Sequence, residues 1–294
     1  MPPLVSVGMP AYNRPESMER AVRSVLGQTL GDLEVVLSDD ASTDEEVARV
    51  GERVAEEDPR VRYLRQPRNL GHDGNYQYVL EQAQGRYFMW LSDDDWLDPG
   101  YVERCLAALE DDPGLALAWG TARLYRDDEL LIAERRIDLG ARRPGVRVVG
   151  FFARVSVNGP LFGLMRRSDL LAVGGFPPVP GGDWLLVARM AARGRVLTVD
   201  GVHQHRSTTG LGASEVDLAR SLGLTGGWAR HHHLWVARHL LGALPVSRPA
   251  AALSALLVLL RFPGIALLRR GGLGRLEPHV SAWLRARDLR GSRS

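Results

Sequence analysis

Three groups of carboxylates could carry chemistry in this chain of 294 residues. Asp39 and Asp40 occur in SDDAST, Asp93, Asp94 and Asp95 in WLSDDDW, and Asp183 in GGDWLL. Burying several like charges side by side is unfavourable unless something positive lies between them. A divalent cation carrying two phosphates meets that need at the middle group, and hard oxygen ligands favour Mg²⁺ or Mn²⁺. Each group also has a plainly structural reading. Asp40, Ser42 or Asp44 suits the cap of a following helix, and Asp98 the cap of the helix after Pro99. Asp183 suits the first turn of a helix, where the dipole favours negative charge.

The elements that position these acids can be read from hydrophobic periodicity. LVSVGMP is a predicted strand ending at Pro10, followed by the helix PESMERAVRSVL. LEVVLSDD is a second strand, DEEVARVGERVAEE a second helix and VRYLRQ a third strand. NYQYVLEQAQ is helical, and RYFMWLS is a strand running into the middle acids. This alternation predicts an α/β sheet with crossover helices. The acids of the first two groups fall at the carboxyl ends of strands, where open α/β sheets place their ligand crevices. Further on, YVERCLAALEDD reads as a helix and LALAWGTARLYRD as a strand or strand pair. Residues 129–158 read as an extended connection beside the sheet. PLFGLMRRSDLLAVGGF reads as a strand and short helix, GDWLLVARMAARG as a helix and VLTVDG as a strand. No repeat of 20 to 50 residues is present.

Composition narrows the classes. Hydrophobic residues make up 45% and charged residues 24%, which suggests neither general disorder nor an integral membrane protein. All 37 basic residues are Arg, and the formal net charge is +2. These Arg residues are dispersed among acids without interleaved aromatics, which argues against nucleic acid as a partner. No GxGxxG follows the first strand, which argues against a nicotinamide enzyme. MPPLVSVGMPAYN lacks the features of a secretory signal, so a cytoplasmic location is expected. Cys105 is the only cysteine; it excludes an internal disulfide and is expected to be buried in a helix. Composition changes near residue 215. The run 250–268 approaches bilayer-spanning length, but Arg261 and Pro263 interrupt it. It is either a core-packing helix or pair of short helices, or an interfacial segment with Arg269, Arg270 and Arg275 facing anionic lipid. His231, His232 and His233 are adjacent on a predicted helix and diverge too far to share a metal.

From residue 4 to about 215, the sequence resembles family 2 of the inverting glycosyltransferases, which have the GT-A fold. The likeness rests on VSVGMPAYNR, AVRSVLGQT, VVLSDDASTD, PRNLGHDGN, GRYFMWLSDDDWLDPGYV, GGF and GDWLLVARMAARGRV, in family order. WLSDDDW most resembles a subgroup involved in bacterial surface polysaccharides and deoxysugar transfer. The resemblance implies one nucleotide-diphospho-sugar transferase domain over residues 1–215, with a mostly parallel mixed sheet. Residues 216–294 would form a helical extension in possible peripheral contact with a membrane.

Carried over by motif, Pro10, Ala11, Tyr12 and Asn13 would form part of the nucleotide pocket, with the base near Tyr12. Asp39 would accept the imide hydrogen of uracil or thymine, and Asn69 and Gly71 would lie beside the nucleotide and sugar-phosphate. The family's DxDD motif places its first acid on Ser92, a neutral hydroxyl able to bond ribose, and its third position on Asp94, the main expected metal ligand. An alternative register uses Asp93 and Asp95 as the acidic pair. Asp183 matches the general base, and the Glu that usually precedes it is Gly182 here. His205 would complete the metal or pyrophosphate site with Arg206 nearby; otherwise His203 and His205 only hydrogen-bond in a loop. Trp90 and Trp96 would either shape the donor pocket or pack in the core, and STTGLG would close over the donor. The implied reaction is metal-dependent inverting transfer from a UDP- or dTDP-sugar to a hydroxyl of a glycan, lipid-linked or small-molecule acceptor. A non-catalytic sugar-nucleotide or glycan-binding protein on the same scaffold is the alternative. A nucleotidyltransferase fits poorly, because GMPAYNRPES is not a Gly-rich basic loop.

Overall fold

The computed structural model describes residues 2–126, 129–155, 158–179, 181–207, 237–238 and 242–270. Its first half follows the pattern of apolar runs. The strands Val5–Ala11 (β1), Leu33–Asp39 (β2) and Tyr87–Trp90 (β4) are buried along their whole length, as strands covered on both faces must be. Between them come Pro15–Leu26 (α1), Glu45–Glu57 (α2), Val61–Arg65 (β3) and Gly71–Gln82 (α3). Helix α1 opens on Pro15, whose missing N–H costs nothing there, and buries Met18, Ala21, Val22 and Val25 on one stripe. Of the three candidate caps for α2, the structure selects Asp44, which accepts from the Glu46 amide at 2.9 Å.

The chain continues through Trp96–Leu97 (β5), Tyr101–Asp111 (α4), Leu115–Arg126 (β6), Glu129–Ala133 (β7) and Pro144–Arg154 (α5). A 3₁₀ turn at Gly159–Phe162 leads to Leu164–Arg166 (β8) and Arg167–Ala172 (α6). Gly182–Arg193 (α7), Arg195–Ser207 (β9) and Arg248–Arg270 (α8) complete the described elements. The strand order is β3-β2-β1-β4-β8-β6-β9-β5, with β7 paired to β6. β3, β2, β1 and β4 run parallel, and β8 enters antiparallel between β4 and β6. This is the expected mixed α/β sheet.

Alternation along β4 divides the core. Tyr87 and Met89 join β1, α1, α2 and α4 on one face, together with buried Cys105. Phe88 and Trp90 join α3, α5, α7 and α8 on the other, where Ala255 and Val258 of α8 pack beside Phe152 and Met190. Trp90 is therefore a core residue, its indole N–H bonded to the Tyr76 carbonyl at 2.9 Å.

Two segments depart from expectation. Residues 129–158 contain a strand and a helix rather than an extended connection. Arg147 disguised the helix, since it sits on the buried face of α5 beside Val148 and Phe151. Its guanidinium donates to the Ala191 and Ala192 carbonyls at the C-terminal end of α7, at 2.6 and 2.9 Å, where orphan acceptors need donors. Strand β9 also runs past Gly201. Its register against β6 shifts between Gly120 and Thr121, and pairing then resumes from His203 to Ser207. A Cβ at Gly120 would lie 2.4 Å from the Val202 carbonyl oxygen, so glycine permits that approach.

Among the described residues no helix is long and apolar enough to cross a membrane. Beyond Ser207, the segment STTGLG lies outside the described residues, as do His231, His232, His233 and Arg275.

Candidate active site

The parallel register aligns Ala11 with Asp39 and Gly8 with Trp90, so the acidic segments emerge at one edge of the sheet. A cavity of about 600 Å³ lies there. Pro10, Ala11 and Tyr12 line it from β1, Ser92 to Asp95 from the turn after β4, and Asn69 and Gly71 from the approach to α3. Asp183, in the first turn of α7, lines the same cavity. Thus the expected acids of the middle group and the lone acid 88 to 90 positions later in the chain share one space.

The three central carboxylates differ in surroundings. Asp93 accepts from the Tyr12 amide at 3.0 Å and from Arg14 at 2.8 Å. Burial nevertheless pushes its pKa up to about 6, with the Arg14 charge opposing and the Asp94 charge reinforcing the rise. Asp95 is pushed up to about 7 by burial, against the opposing charge of Arg206. It accepts from Gln204 at 2.8 Å, and Arg206 lies 3.4 Å away. Asp94 lines the cavity with Arg14 3.6 Å from its Oδ2, while its backbone carbonyl accepts from Arg20 at 3.0 Å. Ser92 hydrogen-bonds the Tyr76 hydroxyl at 2.9 Å. Among the described residues no group of three or more His, Cys, Asp or Glu is arranged to hold a metal ion.

Asp183 is pushed up by burial, opposed by its hydrogen bond from Asn158 and by the amide of Trp184. Gly182 explains the absent neighbouring acid: a Cβ there would lie 2.2 Å from the Pro177 carbonyl oxygen. No side chain fits at that position.

Three expected residues do not line the cavity. Asp39 is fully buried, accepting from the Ser42 amide and the Tyr63 hydroxyl, both at 2.8 Å, with Arg65 at 3.4 Å. Asp40 faces the cavity instead and accepts from the Leu70 amide at 2.6 Å. Asn13, at φ 55°, accepts from the Thr43 and Asp44 amides and so ties the β1 turn to the start of α2. His205 stacks on Trp96 and uses both ring nitrogens, one with Asp98 at 2.8 Å and one with Tyr125 at 3.1 Å. That arrangement also corrects the expected cap. Asp98 spends its carboxylate on His205 and the His203 amide, and Gly100 stands at the cap position of α4.

Sequence reading gave no individual role to Arg14, Asp73 and Asn75, which lie within the quoted VSVGMPAYNR and PRNLGHDGN, and it missed Asn158 altogether; all four line the cavity, as does Ser207 at the start of STTGLG. Asn158 carried only a local turn signal, its Asn-Gly pair.

Comparison with known proteins follows this geometry. Residues 6–170 match glycosyl transferase family 2. Chondroitin synthase of Escherichia coli is 40% identical over 121 residues, 41% of this chain and 17% of that protein. The chain thus spans less than a fifth of that relative's length. S. aureus TarS in complex with UDP-GlcNAc superposes with a TM-score of 0.60 at 15% identity, over 85% of this chain and 69% of that one. The mannosyltransferase PcManGT from Pyrobaculum calidifontis, in complex with GDP-Man and Mn²⁺, superposes with a TM-score of 0.55 at 20% identity, over 100% of this chain and 88% of that one. Sheet order and these likenesses agree on the GT-A fold, and the family match spans more than half of the sequence: the chain belongs to glycosyl transferase family 2.

Proposed function

We propose that the chain is a metal-dependent inverting glycosyltransferase that moves a sugar from a UDP- or dTDP-linked donor to a hydroxyl acceptor. The acceptor would be a glycan or lipid-linked intermediate of bacterial surface-glycan synthesis, with a small-molecule acceptor as the alternative within this reading. The observation that carries it is the sharing of one cavity by Asp183 and the Asp93–Asp95 turn. The similarity to a chondroitin synthase and to structures holding UDP-GlcNAc or GDP-Man with Mn²⁺ supports a nucleotide-sugar donor.

In this reading Tyr12, 42% exposed at the cavity rim, offers its ring to the base. Pro10, Ala11, Asn69, Gly71, Ser92 and Asp93 line the remaining donor side. Asp40 faces the base region, whereas Asp39 holds the loop beneath it. The donor set at the turn fits Mg²⁺ or Mn²⁺, which commonly takes one or two carboxylates and completes its shell with substrate phosphates and water. Asp94 would be the first ligand, flanked by Asp93, which Tyr12 and Arg14 hold, and by Asp95, which Gln204 and Ser207 hold and which would be the second. When bound, the ion supplies charge neutralisation to the leaving diphosphate. Arg14 and Arg206 on the same wall add positive charge there. Asp183 takes the proton of the acceptor hydroxyl as its oxygen attacks the anomeric carbon. One displacement inverts configuration; a retaining route would require a second placed nucleophile. Exposed Leu253 on α8, which shares a groove with exposed Val146 of α5 and with Arg143 at that helix's cap, and exposed Leu256 suit peripheral contact with an anionic membrane surface.

The test separates binding from turnover. Asp183→Asn is expected to keep nucleotide-sugar affinity within about twofold and to lower turnover by about 10²–10⁴-fold, the span of general base catalysis. A variant that turns over donor normally would refute the assignment.

A further inference from the structure

Asn158 stands between α5 and the 3₁₀ turn with φ 55° and ψ 42°, a left-handed conformation that Asn tolerates better than most residues. It is 3% exposed and lines the cavity. Its Nδ2 donates to Asp183 Oδ2 at 3.0 Å. Its Oδ1 is buried and has no hydrogen-bond partner among the described residues, a cost most native structures avoid. Turning the amide over would set that oxygen against the carboxylate, which is worse. Glycine at this position would give the same backbone without the orphaned oxygen. The turn is braced from behind, where the Gly159 amide donates to Glu134 Oε2 at 2.9 Å. Both features, a left-handed backbone and an unsatisfied oxygen, therefore serve one contact.

We propose that Asn158 is a positioning residue, whose amide N–H fixes the Asp183 carboxylate in the orientation and ionisation needed to receive the acceptor proton. The inference rests on the reading of Asp183 as general base. A hydrogen bond donated to the charged form favours that form. Burial raises the Asp183 pKa, and Asn158 is the foremost opposing influence. His72 and Asp73 of α3 also face Asp183; the first favours its ionisation and the second opposes it. The base works ionised, so activity rises as pH climbs through its pKa. Losing the Asn158 N–H must then move the acidic limb to higher pH.

Two variants test this. Asn158→Gly keeps the left-handed backbone and removes the amide, and Asn158→Asp keeps the shape but opposes one carboxylate with another. Carbon-13 NMR of the aspartate carboxylates, with the Asp183 signal assigned through Asp183→Asn, reads the titration in the folded protein without any donor. The expected result is an upward shift of about one pH unit in Asn158→Gly and a larger one in Asn158→Asp. The acidic limb of kcat/KM for nucleotide release from the turned-over UDP- or dTDP-sugar should follow, with donor KM unchanged. An Asp183 titration that is unmoved in both folded variants overturns the inference while leaving the base reading intact. Normal turnover by Asp183→Asn overturns both.

Discussion

At the scale of single residues, the Asp183 side of the cavity is organised by what cannot be there. Gly182 has no room for a Cβ, so Asp183 is the single acid at the start of α7. Gly182→Ala is expected to destabilise the protein by about 1–3 kcal/mol, the usual cost of forcing an atom into a packed site. Thermal unfolding checks this, and an unchanged midpoint would show that the Pro177 segment yields freely. Gly182→Glu should not restore turnover to Asp183→Asn, because its side chain cannot take the vacant role without displacing the same carbonyl. The motif residues were legible in sequence because strand ends and acids coincide. Asp39 and Asp40 were not separable, since adjacent positions at a strand end diverge and only the loop's hydrogen bonds decide which one faces the cavity.

At the scale of elements, β9 carries more of the site than its apolar stretch announces. VLTVDG marked a strand, but Gly201 reads as its end, and only the bulge opposite Gly120 lets pairing resume. The resumed segment brings Gln204 and Arg206 to Asp95 on one side, while His203 and His205 meet Asp98 on the other. Asp98→Ala removes the acceptor for both histidine contacts and should cost about 1–3 kcal/mol, the penalty for leaving partly buried donors unpaired. Chemical denaturation measures it, and donor affinity should fall with it because Asp95 loses its backing. A variant with unaltered stability would mean that β5 pairing alone secures the segment. Helix α5 escaped sequence reading for a different reason. A buried Arg that satisfies another helix's carbonyls breaks the apolar stripe by which a helix is recognised.

At the scale of the whole molecule, the sheet is covered on both faces, and α8 belongs to one of those covers. Ala251, Ala255 and Val258 are buried, and a Cβ at Gly145 of α5 would meet the Ala250 Cβ at 2.8 Å. Ending the chain at residue 247 should therefore lower the melting temperature and promote aggregation, since Phe152 and Val148 lose their cover. A truncated protein melting like the full chain would show α8 to be an independent appendage. The most direct test of the central claim is thermal stabilisation by UDP-, dTDP- and GDP-sugars with and without Mn²⁺, on the full chain and on Asp94→Asn. The account predicts Mn²⁺-dependent stabilisation by UDP- or dTDP-sugars that is lost in the variant, because a ligand bound only by the folded state raises its stability. No stabilisation of the folded wild-type protein by any of the three classes would contradict it.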